Sequence, residues 1–243
     1  FPLIALLVRS LGEDGFFDSI TSETALSALQ LSLWTSAIAV AVVVLIGTPF
    51  AYTLARWRFP GVQILNILVE LPIVLPPVVA GLAMLMAFGR AGMIGQWLTG
   101  LGVAIPFTTI AVVLAQMFVA APFYIRSAKL GFQSVSRDYE EISHTLGISP
   151  WLTFWRITLP LAWPALVSGL ALAWARAVAE FGATIMFAGN FPGKTQTMPL
   201  AILSAMESDL SDALAMAVLL ATVSLIILVI LAAVSGFQRR PLT

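Results

Sequence analysis

From residue 25 to residue 54 the chain carries no charged side chain. At about 1.5 Å of rise per residue, a helix of that length is long enough to cross a hydrocarbon core of about 30 Å. Further apolar runs cover residues 62–88, 105–125, 159–187 and 213–237. Only 10% of the residues are charged, whereas soluble domains carry about 25%. A soluble fold of this size needs a polar surface, and this chain has too few charges to build one. In a bilayer every backbone amide must be satisfied within the protein, which makes each run a helix. The expected fold is therefore all-α: a polytopic transmembrane bundle.

The same composition removes several classes of function. The formal net charge is zero, so the overall balance points to neither nucleic acid nor an acidic partner. The absence of cysteine rules out disulfides, thiolate chemistry and Cys-ligated metal. The single histidine, His144, cannot form a His-based metal cluster within one chain. No catalytic constellation, cofactor site or metal site is legible.

The opening apolar stretch, residues 1–8, is too short to span, since a transmembrane helix needs about 20 residues. It reads as the end of a first transmembrane helix, giving about six spans with the first one truncated. An acidic loop with Glu13, Asp14, Asp18 and Glu23 follows. If the spans alternate, Arg56, Arg58, Arg126, Lys129, Arg137, Arg156, Arg239 and Arg240 share one side. Arg90, Lys194 and the acidic loops take the other, with Arg9 near its margin. The basic side is cytoplasmic by the positive-inside rule, so both termini of the intact protein are expected inside a plasma (inner) membrane. Trp34, Trp57 and Trp97 fall near span ends as interfacial anchors, and Trp174 is expected to pack within the bundle.

The span at residues 62–88 contains Pro72, Pro76 and Pro77, so it must kink or break. Such a break is tolerated only against protein or a wet cavity. In the span at residues 159–187, Arg176 and Glu180 lie four residues apart and share a helix face. A charge at mid-membrane costs about 2.5–3.5 kcal/mol on insertion scales, so both must face protein or water. One reading makes the pair the lining or gate of an anion pathway. The other makes it an ion pair that fixes helix packing. A further motif, Gly189-Asn-Phe-Pro-Gly193-Lys194-Thr195, imitates a phosphate-binding loop. It has one residue too few between its glycines and follows a helix rather than a strand, so nucleotide binding is rejected.

The most informative polar stretch is 136–160. Ser136 or Asp138 can cap a helix whose first turn is favoured by Glu140 and Glu141. Tyr139, Ile142 and Leu146 fall on one face of it. Gly147 stands where a helix ends in a left-handed residue, and Ser149-Pro150 restarts a helix. Pro160 marks entry into the next span. Two short helices at a fixed angle outside the membrane make a docking element.

This stretch resembles the EAA loop of ABC importer permeases. Glu141, Gly147, Ile157, Leu159 and Pro160 match its spacing, with Glu140 beside them. Ile142 and Ser143 replace the usual two alanines. A wider resemblance, over about residues 31–212, is to molybdate-type permeases, with sulfate permeases as close relatives. It is carried by Phe59-Pro-Gly61, Leu71-Pro-Ile-Val-Leu-Pro-Pro-Val-Val79, Phe88-Gly-Arg90, Ile94-Gly95, Thr145-Leu-Gly147, Glu180-Phe-Gly-Ala-Thr184, Pro192-Gly193 and Thr197-Met-Pro199. The resemblance implies a type I ABC importer permease fold, with one transmembrane domain over 1–243. Within it, 136–160 is the loop that couples to the ATPase. It implies two cytoplasmic ATP-binding subunits that hydrolyse ATP, a second copy of the chain and an extracytoplasmic oxyanion-binding protein. The expected cargo is molybdate, with sulfate or tungstate as alternatives. An ATPase-independent secondary transporter or channel is the reading outside this class, and the docking element argues against it. Arg176, Glu180, Thr184, Pro76 and Pro77 are the candidate pathway or gate.

Overall fold

The computed structural model describes residues 2–12 and 15–236, and they are arranged as helices joined by turns. Glu13, Asp14, Arg239 and Arg240, which entered the sidedness argument, lie outside the described residues. After a short helix α1 (Pro2–Leu11) and a single turn α2 (Phe16–Ile20), the Ser22 hydroxyl accepts from Ala25 N at 3.2 Å and starts α3 (Glu23–Arg56). Next come α4 (Val62–Val74), α5 (Pro77–Phe88), α6 (Gly95–Gly100) and α7 (Thr109–Ser134). Then follow α8 (Arg137–Thr145), α9 (Pro150–Thr153), a π-helical turn (Phe154–Thr158) and α10 (Leu159–Val178). The chain continues through α11 (Gly182–Ala188), α12 (Met198–Ser208) and α13 (Leu210–Gly236). Among the described residues four helices are long and apolar enough to cross a membrane, or five if the bent pair α4–α5 is one span.

The core is the packing of α3, α7 and α10. Lipid tails are as apolar as leucine, so helices in a membrane are held by close packing and hydrogen bonds rather than by hydrophobic exclusion. Small residues permit that approach. A Cβ on Gly169 would lie 2.7 Å from the Ser127 Cβ, and one on Gly131 would lie 2.6 Å from the Ala165 Cβ. Ser127 Oγ donates to the Ala165 carbonyl at 2.8 Å, and Thr48 and Tyr124 share a 2.6 Å hydrogen bond between α3 and α7. At the α8 end, Tyr52, Phe132 and Phe154 pack their rings together. Trp174 is buried in the bundle, while Trp34, Trp57 and Trp97 are exposed.

The helices α4 and α5 meet at 115° across Leu75-Pro76. The pair still reaches from one end of the bundle to the other. Lys129 Nζ donates to Asn66 Oδ1 in α4 at 2.7 Å, while the Phe88 ring meets Phe187 at the far end. That far end is the one where Thr109 Oγ1 donates to the Lys194 carbonyl at 2.9 Å.

Three boundaries differ from the sequence reading, each for a local reason. The span expected at residues 105–125 runs over Thr109–Ser134. Phe107 has φ 62° and Thr108 caps the helix, which delays its start. Arg126 and Lys129 do not end it, because a charge at the membrane margin is compatible with a helix. The span expected at residues 159–187 is broken between Val178 and Gly182. Its start is continuous with α9 through the π-helical turn, so the helix that crosses is Pro150–Val178. The polar stretch before the last span conceals α12, which opens with Pro199 in its first turn.

Candidate functional site

The stretch 136–160 is built as a braced pair of short helices. Ser136 Oγ accepts from Asp138 N at 3.3 Å and starts α8. Its end is closed by Gly147 at φ 78°, with Ile148 N donating to the Ser143 carbonyl at 3.1 Å. A Cβ at Gly147 would touch nothing within 4 Å, so glycine is required there by backbone conformation and not by space. Ser149 then caps α9 with Pro150 at its start. A buried hydrogen bond of 2.7 Å between the Ser143 and Thr153 hydroxyls ties α8 to α9. The angle between the two helices is thus fixed by a left-handed residue and an internal bond.

The two glutamates of α8 have different fates. Glu140 turns inward. Its Oε1 lies 2.9 Å from Arg56 Nη2 and accepts from Thr158 Oγ1 at 2.8 Å. Arg56, buried at the end of α3, also donates to the Val135 carbonyl at 3.0 Å, and Arg137 donates to the Arg56 carbonyl at 2.7 Å. Glu140 therefore braces α8 against α3 and the π-helical turn. Glu141 is exposed, as is His144. The apolar face expected on α8 is present and uncovered: Tyr139, Ile142 and Leu146 are 54%, 57% and 74% exposed. Ile157 belongs to the π-helical turn, and Leu159 and Pro160 begin α10.

The second constellation is where two broken helices meet. The Pro76–Pro77 break faces the break between α10 and α11. A Cβ on Gly182 would sit 2.8 Å from the Pro77 Cβ, and one on Gly81 would sit 2.6 Å from the Ala183 carbonyl oxygen. Glu180 supports this break directly. Its Oε1 accepts from Ala183 N in the first turn of α11 at 2.7 Å, and its Oε2 pairs with Arg176 at 2.7 Å. Glu180 is 1% exposed and Arg176 28%, so the carboxylate is a buried strut and the arginine side chain is partly exposed. Thr184 is fully buried with a hydroxyl that has no hydrogen-bond partner, whereas Pro76 and Pro77 are exposed. The structure therefore gathers Pro77, Glu180 and Thr184 around one helix junction, with Arg176 at its margin.

The residues 189–195 that imitate a phosphate loop fold back on themselves. The amides of Lys194, Thr195 and Gln196 converge on the Phe191 carbonyl at 3.1, 2.9 and 3.0 Å, so they are not free to hold an anion. Two supporting residues escaped the sequence reading. Arg56 looked like one more topogenic cation, and Gly182 looked like part of a motif string. Their partners lie far along the chain, in α8 and at Pro77, and no local pattern announces either contact.

The fold defines a class: multi-span helical membrane proteins with discontinuous helices. The chain belongs to the family of binding-protein-dependent transport system inner membrane components, which it matches over residues 44–241. Within that family it is an ABC importer permease of the molybdate/sulfate type. It is 44% identical over 226 residues to the molybdenum transport system permease protein ModB of Mycobacterium tuberculosis, covering 93% of this chain and 85% of that one. It is 34% identical over 242 residues to a probable sulfate transport system permease protein, cysT, of Nephroselmis olivacea, covering 98% and 85%. Among solved structures, a bacterial ABC transporter that imports the acidic polysaccharide alginate superposes with a TM-score of 0.78. That match has 16% identity and covers 98% of this chain and 90% of the other, a likeness of fold.

Proposed function

We propose that this chain is the membrane-spanning subunit of an ATP-driven importer that moves molybdate into the cytoplasm by alternating access. It does no covalent chemistry. ATP hydrolysis belongs to two partner subunits, and an extracytoplasmic binding protein delivers the oxyanion to a dimer of this chain. The observation that carries the ATP-driven reading is α8: an apolar face left uncovered outside the spans, on a helix braced by the Arg56–Glu140 pair. A carrier or channel without ATPases has no use for such a surface. Loop 136–160 is accordingly the coupling element, with Glu141, Gly147 and the Tyr139–Ile142–Leu146 face toward the ATPase. Glu140, Ile157, Leu159 and Pro160 join the loop to the bundle.

The route of the anion runs past the junction of the broken helices. Discontinuous helices at mid-membrane are where transporters bring backbone dipoles and unpaired polar groups to a solute. Arg176 supplies a cation there, with Glu180 holding it. The cargo reading rests on the molybdenum permease relative. Sulfate is the second reading, favoured by the sulfate permease relatives, and tungstate matches molybdate so nearly in size and charge that the pathway offers little to separate them. The test is reconstitution in proteoliposomes with the ATPases and binding protein, measuring uptake of molybdate, tungstate and sulfate with and without ATP. Uptake of molybdate that requires ATP is expected. Uptake independent of ATP would remove the importer reading, and uptake of sulfate alone would reassign the cargo.

A further inference from the structure

At the same end of the bundle as α8, a recess of about 420 Å³ opens between the C-terminus of α3, the start of α4 and the C-terminus of α7. Its charged lining is one-sided: Arg56, Arg58, Lys129 and Arg137 border it, and none of the described lining residues is a carboxylate. Arg56 is compensated by Glu140 on its far side. Arg58, Lys129 and Arg137 form no ion pair among the described residues. Lys129 is held in place by the neutral amide of Asn66, and Arg137 by the Arg56 carbonyl, so neither loses its charge to its tether. Cations gathered in a recess with protein walls repel one another and focus a positive potential into it. Asn66 and Gln133 add neutral hydrogen-bonding groups at the wall.

We propose that this recess binds a phosphate group, with Arg58, Lys129 and Arg137 as its ligands. A guanidinium presents paired N–H donors that match phosphate oxygens, and an ammonium serves as a point charge. The phosphate chemistry is shared by an anionic phospholipid headgroup and by inorganic phosphate. The surroundings favour the lipid. Trp57, 62% exposed, stands at the rim, and α4 leads away from the recess with no buried residue. Ile64, Ile67 and Leu68 on α4 are 63%, 67% and 54% exposed, a surface on which acyl chains can lie while the headgroup occupies the recess. Basic pockets between spans at the cytoplasmic face are suited to anionic headgroups. The inference is independent of which oxyanion the protein carries.

The test uses the full-length, assembled permease in nanodiscs. Native mass spectrometry would compare retained phosphatidylglycerol with phosphatidylcholine for the parent protein, Arg58→Gln, Lys129→Gln and the control Arg126→Gln. Arg126 is exposed one turn from Lys129 and lies outside the recess. A second arm measures binding of inorganic phosphate by calorimetry in phosphatidylcholine nanodiscs. The expected result is preferential retention of phosphatidylglycerol that falls about five-fold for each recess cation neutralised, and by less than half for Arg126→Gln. Phosphate binding that weakens in the same two variants without lipid preference would assign the recess to the free anion. Equal losses in all three variants, or none in any, would overturn the site and leave only a diffuse surface charge.

Discussion

Gly147, Glu140 and Glu141 stand within one loop, yet each fails in a different way when replaced. Gly147 holds φ 78°, where a side chain costs about 1 kcal/mol or more, although the space around it is open. Gly147→Val is expected to leave the protein in the membrane as a dimer while ATPase subunits bind weakly or hydrolyse ATP without uptake. Co-purification of the ATPase, with uptake and hydrolysis in vesicles, checks this; normal coupled uptake would show that the loop does not transmit. Glu140→Ala leaves the buried Arg56 guanidinium without its carboxylate, and breaking such a pair costs about 3–5 kcal/mol. Loss of folded protein is therefore expected, seen as a lowered melting temperature before any ATPase is added. Glu141 is exposed, so Glu141→Ala is expected to keep the melting temperature and weaken only ATPase binding. The sequence made both glutamates equivalent, because helical spacing reports which face a residue occupies but not what stands opposite it. Arg56, from another span, decides between them.

Among the elements, the two discontinuous helices show where sequence patterns stop being informative. The break at Pro76–Pro77 was legible, since proline removes a backbone donor and clashes with the preceding turn. The break after Val178 was not, because Ala179, Glu180 and Phe181 are all tolerated inside helices and the apolar run continues through them. It exists because Glu180 accepts from Ala183 N and because Gly182 lies against Pro77, a contact between distant segments. The same geometry separates two readings of the charged pair. In Glu180→Gln the amide oxygen can still accept from Ala183 N while the charge on Arg176 is released. Assembly is expected to persist and uptake to fall about ten-fold or more if Arg176 serves the pathway. If the pair only fixes packing, assembly and uptake should decline in step, and measuring dimer yield beside initial uptake rates distinguishes the two. Gly81→Val is the steric counterpart: its Cβ would enter the Ala183 carbonyl, so separation of α5 from α11 at about 1–3 kcal/mol is expected, read as a lowered melting temperature.

At the level of the whole molecule, the proposed import requires ATPase coupling and anion delivery on opposite faces of the membrane. The structure collects Arg56, Arg58, Lys129 and Arg137 around one recess with α8 beside them, and sets Lys194 at the other end, where Thr109 holds its carbonyl. Charge asymmetry of this kind orients a bundle during insertion with the cationic end toward the cytoplasm. Ends separated by whole spans cannot share a side, so labelling one residue near each end fixes the orientation of all the described spans. The native chain lacks cysteine, which allows single introduced thiols to be read without background. Gln133 and Lys194 are both exposed. In intact cells a membrane-impermeant maleimide is expected to label Lys194→Cys at once. Gln133→Cys should react only after the membrane is opened. The reverse pattern would put α8 outside the cell, away from any source of ATP, and would end the importer reading whatever the cargo. Labelling of both positions in intact cells would mean that the helix Pro150–Val178, which lies between them in the chain, does not cross the membrane.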